Sequence, residues 1–181
     1  PRRKAEVGER LALAALCAVV CTLVSVDLPV LAAICDVFYI GGTKVGALFG
    51  EAVILTAPSL RSDFRYLMKQ RGAMLAKGRL LGVQFLALFQ DDLYFRIADK
   101  ADRLAMRLRR AFLERGWSLL YPSFTNQQFP VMPDEVLKRL SADYSFSFWQ
   151  KTDDTHTAVR FCTSWATTEE AVNRLVADLE K

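Results

Sequence analysis

The chain has 181 residues, of which 52% are hydrophobic and 24% charged, a balance that supports a packed core and excludes a disordered chain. Lysine and arginine outnumber aspartate and glutamate by 24 to 20, with no dense basic block or interleaved aromatic platform, so a nucleic-acid surface is not expected. The four cysteines (Cys17, Cys21, Cys35, Cys162) and the single histidine, His156, suit neither a zinc site nor a disulfide framework and read as reduced thiols of a cytoplasmic protein.

In chain order, "PRRKAEVGER" leads into an uncharged apolar run over residues 11 to 26, "LALAALCAVVCTLVSV". A basic start before such a run has the look of a secretory signal or membrane anchor. At about 16 residues, however, it falls short of the roughly 20 that span a bilayer, and no small-residue cleavage site precedes Asp27. The competing account is a buried helix or strand pair, with Cys17 and Cys21 as small core residues. "DLPVLAAIC" then predicts a short helix, capped by Asp27 with Pro29 in its first turn, and feeds a strand, "DVFYI". A second β-branched run, "AVIL", follows, and both runs read as buried.

Between the two runs lies "YIGGTKVGALFGEA", with Lys44 in a glycine-rich turn. An ammonium so placed must reach solvent, find a counter-charge, or lose its proton and react. From Ser59 a helical region begins, with apolar residues recurring through Leu60, Phe64, Leu67 and Met68 and then from Leu80 to Phe89, broken or thinned by Gly72, Gly78 and Gly82. Residues 91 to 115 carry a helical stripe through Ile97, Ala101, Leu104, Ala105, Leu108 and Phe112, ending at Gly116. Arg103, Arg107 and Arg110 fall on its other faces and read as solvated.

Beyond Gly116 the texture changes to short strands, "WSLLYPS", "NQQFPVMP", "YSFSFWQ" and "TAVRFCTSW", alternating with amphipathic helices in "PDEVLKRLSAD" and "TTEEAVNRLVADLEK". Thr167, with Glu170 three residues on, predicts a capping box for the last helix. The pattern predicts an α/β N-terminal part through residue 115, containing a long connecting helix, and a small α+β domain over 116–181.

The ordered blocks "DVFYIGGTKVGALFGEAVIL", "MKQRGAMLAKGRLLGVQFLALFQDDLYF", "NQQFPVMP" and "VRFCTSWATTEEAV" resemble the C-terminal half of the threonine aldolase and β-eliminating lyase group, which are pyridoxal-phosphate enzymes of fold type I. The resemblance covers roughly residues 27 to 181. It implies part of the cofactor-binding large domain, then the small domain, with pyridoxal 5'-phosphate as cofactor, threonine or a similar β-hydroxy-α-amino acid as substrate, and a homo-oligomeric assembly. Lys44 matches the lysine that the family links to the cofactor aldehyde; a strand-end turn lets such an amine stand exposed in a cleft. Gly41, Gly42 and Gly46 would let the backbone approach the cofactor.

By the same resemblance, Thr43 reaches the cofactor phosphate, against the alternative of a local backbone cap. Lys77 and Arg79 fall in a block where relatives direct basic residues toward that phosphate; a solvated helix face is the other reading. Arg160 matches the arginine that holds the substrate α-carboxylate, a task suited to a planar guanidinium, against a surface ion pair with Asp153 or Asp154. Asn126 lies in the small-domain block without an assigned role, and His156 reads as a surface hairpin residue.

The family's glycine-rich phosphate loop and ring-stacking residue have no match in this sequence. Its Asp-Gly-Ala-Arg motif meets only "VGERL", with Gly8 and Arg10 in place, Val7 at the aspartate and Glu9 at the alanine. Residues 1 to 26 therefore read as divergent or damaged, and the chain as an incomplete form expected to be inactive alone. Another fold-type-I activity, such as β-elimination or transamination, and a non-enzymatic fragment acting by association are the alternatives.

Overall fold

A computed structural model describes residues 28 to 180. The apolar run with Cys17 and Cys21, the Asp27 cap and the "VGERL" segment lie outside the described residues. No helix among the described residues is long and apolar enough to cross a membrane. The chain divides into two compact units between Arg96 and Ile97.

In the N-terminal unit, α1 (Leu28–Ile34) leads to β1 (Val37–Gly41), a single 3-10 turn (Thr43–Val45) and β2 (Glu51–Leu55); α2 (Phe64–Gln70) and α3 (Arg79–Phe89) follow. β1 and β2 form an antiparallel hairpin with Val37 opposite Leu55 and Gly41 opposite Glu51. Strand periodicity turns Phe38 and Ile40 into the core beside Leu31 and Cys35, while Tyr39 faces out. The "AVIL" run is not buried as its composition suggested: every residue of β2 is partly or fully exposed. In a two-stranded ribbon that run has a single neighbouring strand.

The predicted helical region from Ser59 is two helices, since α2 ends at Gln70 and the segment around Gly72 and Gly78 is irregular. Gly82 does not interrupt α3. The next helix, α4 (Leu93–Glu114), starts two residues later than its stripe predicted, because Asp91 and Asp92 take left-handed φ values of 51° and 57°, a conformation that aspartate tolerates better than most side chains.

α4 joins the C-terminal unit along most of its length: Leu104, Leu108, Ala111 and Phe112 belong to that unit's core. The division into compact units thus falls inside this helix. Arg103, Arg107 and Arg110 are exposed, with Arg103 Nε donating to Asp99 at 2.8 Å. After α4 come β3 (Gln127–Gln128), β4 (Val131–Pro133), α5 (Asp134–Leu140), β5 (Ser147–Lys151), β6 (His156–Cys162) and α6 (Glu169–Asp178).

β6 is the central strand and pairs antiparallel with β3, β4 and β5. Val159 and Phe161 from β6 and Met132 from β4 meet Leu137 and Leu140 of α5 and Val172, Leu175 and Leu179 around α6. The predicted strand "WSLLYPS" contributes only a bridge between Leu119 and Pro130; Pro122 and Pro130, which lack an N–H, cannot extend a ladder there. The cap of α6 is Thr168 rather than Thr167: its hydroxyl accepts from Ala171 N–H at 3.2 Å, while Thr167 Oγ1 accepts from Ser164 N–H at 3.0 Å.

Candidate functional site

The lysine turn is fixed by its glycines and by α3. Ala47 N–H and Val45 N–H both donate to Gly42 carbonyl, at 2.9 and 3.1 Å. A Cβ at Gly42 would stand 2.6 Å from Ala47 Cβ and 3.2 Å from the Phe85 ring, so this glycine is required by packing within the protein. Gly46 closes the 3-10 turn at φ 102°, and Gly50, at φ 84°, has Leu81 against the place of its missing Cβ. Gln84 of α3 then bonds the turn twice, accepting from Leu48 N–H at 2.6 Å and donating to Phe49 carbonyl at 3.3 Å. At the strand end, Tyr94 hydroxyl donates to Gly41 carbonyl at 2.9 Å.

On this clamped turn Lys44 and Thr43 are exposed, and neither side chain has a hydrogen bond or ion pair among the described residues. Of the three fates open to the lysine, the structure gives solvent: the amine is accessible and has no counter-charge among the described residues. Thr43 does not cap the 3-10 turn, whose N-terminal residue, Gly42, receives no side-chain bond. Lys77 and Arg79 are exposed where α3 begins, on the helix whose Leu81, Gln84 and Phe85 hold the lysine turn. The N-terminal unit thus carries Thr43, Lys44, Lys77 and Arg79, and the C-terminal unit carries Arg160.

Arg160 stands on β6 opposite Ser147 of β5. Its two terminal nitrogens donate to neutral acceptors, Gln127 Oε1 and Ser147 Oγ, each at 3.4 Å. Its Nε is buried without a partner, and its Cζ lies 5.8 Å from the Trp149 ring centroid. No carboxylate of the described residues pairs with it. Asp153 is engaged instead in the β5–β6 hairpin, where it accepts from Thr155 N–H and His156 N–H, both at 2.8 Å. These bonds, led by the Thr155 amide, pull the Asp153 carboxyl down to about 2, and His156 Nδ1 closes the same turn at 3.1 Å.

Arginine Nε also lacks a partner at Arg109 and Arg115. Arg115 is otherwise satisfied by Ala111 and Val176 carbonyls at 2.9 Å each, and Arg109 lies over the Phe124 ring at 5.2 Å. Asn126 is buried and donates to Thr163 carbonyl at 2.7 Å, a tie between segments. Gln84, Trp149 and Gln127 were not singled out from the sequence. Gln84 lies in an amphipathic stretch where a polar residue reads as solvated, and the contacts of Trp149 and Gln127 depend on strand register.

No family model matches the chain. It is 34% identical over 145 residues to the low-specificity L-threonine aldolase of Pseudomonas aeruginosa and 32% identical over 145 residues to that of another Pseudomonas species, in each case over 80% of this chain and 41% of the relative. The chain therefore spans less than half the length of these curated relatives. Leishmania major threonine aldolase superposes with a TM-score of 0.85 at 37% identity, over 90% of this chain and 48% of that one. Sphingomonas wittichii serine palmitoyltransferase, at 14% identity and a TM-score of 0.53 over 82% of this chain and 39% of that one, shares the fold alone. Part of a fold-type-I large domain followed by a small α+β domain is the architecture present. In sequence and fold together, the chain is a partial-length relative of the threonine aldolases.

Proposed function

We propose that the chain supplies the lysine turn and the carboxylate-binding arginine of a pyridoxal-phosphate-dependent lyase of the threonine aldolase type, which cleaves β-hydroxy-α-amino acids such as threonine to glycine and an aldehyde. The observation that carries this reading is the exposed, unpaired Lys44 amine on a turn held by Gln84, in a chain related to the threonine aldolases. When bound, pyridoxal 5'-phosphate supplies a carbonyl for an amine and a ring that accepts electron density from the broken Cα–Cβ bond. The donor set fits such a group at its aldehyde end, since Lys44 offers a primary amine with no competing counter-charge. Thr43 offers a hydroxyl beside it, and Lys77 and Arg79 are the cations of the same unit directed to the phosphate.

Arg160 takes the substrate α-carboxylate and so fixes the orientation of the bonds at Cα. A guanidinium with three neutral neighbours and no carboxylate partner among the described residues has donors left for this. By itself the 181-residue chain is expected to take up the cofactor weakly and to show no turnover. A lone amine holds an aldehyde only reversibly, and Val7 stands where the family motif has its aspartate. Assembly as a homo-oligomer in the cytoplasm belongs to the same proposal.

The test uses the full chain with pyridoxal 5'-phosphate, borohydride reduction and peptide mapping. Lys44 should carry the label; equal labelling of Lys69, Lys77 and Lys151 would overturn the assignment. Acetaldehyde release from threonine that disappears in Lys44→Ala would instead show that the chain works alone.

A further inference from the structure

β5 pairs with β6 in regular antiparallel register at Ser147–Arg160 and Phe148–Val159, but the next partner of Ala158 is Gln150 rather than Trp149. Trp149 is therefore the extra residue of a β-bulge. Bulges sharpen the local twist and re-aim a side chain. Here the re-aimed indole meets Phe129 with centroids 4.9 Å apart and Tyr121 at 6.4 Å, both edge-on. Its Nε1–H donates to the Tyr121 hydroxyl at 3.3 Å, and the Arg160 guanidinium carbon lies 5.8 Å from its centroid. Three aromatic side chains from three segments thus pack together, and one of them, Trp149, stands beside a cation that has no carboxylate partner among the described residues.

We propose that Trp149 is the positioning residue of Arg160, holding the guanidinium so that its unused N–H groups face an incoming α-carboxylate. This rests on the reading of Arg160 given under Proposed function. A π face attracts a cation without consuming any of its N–H donors, whereas a carboxylate partner would occupy the fork that the substrate needs. The Gln127 and Ser147 contacts, at 3.4 Å each, are longer than the usual range of about 2.7–3.2 Å. They orient the terminal nitrogens and yield to the shorter charge-assisted bonds that a carboxylate makes. At 5.8 Å the ring stands near the outer limit of cation–π contact, about 6 Å, so it guides the fork and leaves it able to move onto the ligand.

The experiment follows the Arg160 Nε–H and Trp149 indole N–H signals of the ¹⁵N-labelled full chain by NMR during titration with L-threonine, and with L-threoninol, which lacks the carboxylate. L-threonine should shift the Arg160 signal saturably and L-threoninol should not. In Trp149→Leu the free Arg160 signal should move, because the ring current is gone, and half-saturation should rise about two- to fivefold. Trp149→Phe should restore both. Tyr121→Phe, which deletes only the hydroxyl that accepts the indole N–H, should move the indole signal and raise half-saturation in smaller measure, and serves if Trp149→Leu does not fold. Half-saturation equal to wild type in these variants overturns the positioning role and leaves Arg160 as receptor. No response of wild-type Arg160 to L-threonine overturns the receptor reading, and the positioning role with it.

Discussion

Replacing Arg160 by lysine keeps the charge and removes the fork. If the guanidinium receives the substrate carboxylate through paired N–H groups, Arg160→Lys should weaken L-threonine binding to the full chain by about 1.5–3 kcal/mol, the range for a hydrogen bond to a charged group. Unchanged binding in saturation-transfer NMR would leave Arg160 a strand residue with a structural role. Asp153 offers a second test at the same scale, and its sign follows from its bonds. Its carboxyl is depressed from 3.8 to about 2, first by the Thr155 amide and then by His156. The stabilisation of the hairpin turn is therefore full above the unfolded value and is lost as pH falls through the folded one. The Thr155 amide signal should hold steady down to about pH 3 and shift with a midpoint near 2. A midpoint near 3.8 for this signal would show that the turn bonds do not hold the carboxylate in solution.

The N-terminal end of α6 shows how one residue decides an element. Thr167 and Thr168 are chemically the same, and the box pattern with Glu170 pointed to the first; the extended backbone at Thr168, φ −101° and ψ 159°, makes it the cap. Thr168→Ala should cost about 0.5–2 kcal/mol in denaturant unfolding, and a smaller loss there than in Thr167→Ala would return the cap to Thr167. Strand and helix identities were legible where the period was strong, as in β1, β6 and α4. The lysine turn was legible as well, because its glycines and flanking apolar runs are local. What holds that turn was not: Gln84 reaches Leu48 across 36 positions, and no local pattern encodes such a contact. The Trp149 bulge was hidden for the same reason, since a slip of register exists only relative to the partner strand.

At the scale of the whole molecule the two units differ in how their apolar residues are used. The C-terminal unit has a continuous core in which Phe112 and Met132 are fully buried and Val159 is 1% exposed. The N-terminal unit has a two-stranded hairpin and leaves Leu48 83%, Leu86 73% and Tyr66 71% exposed. Two strands alone are marginal in water, and contiguous exposed apolar surface marks a place where another surface belongs. Local opening free energies follow the density of buried contacts. Hydrogen exchange of the full chain, read residue by residue, should therefore find the amides of Val159 and Phe161 in β6 protected at least about tenfold more than those of Phe38 and Ile40 in β1. The comparison should be made at several protein concentrations, because association through the exposed side chains would raise protection in β1 and spare β6. Equal protection of β1 and β6 at every concentration, the lowest included, would show that the hairpin is held as firmly as the central strand, and that its exposed side chains cost the unit nothing.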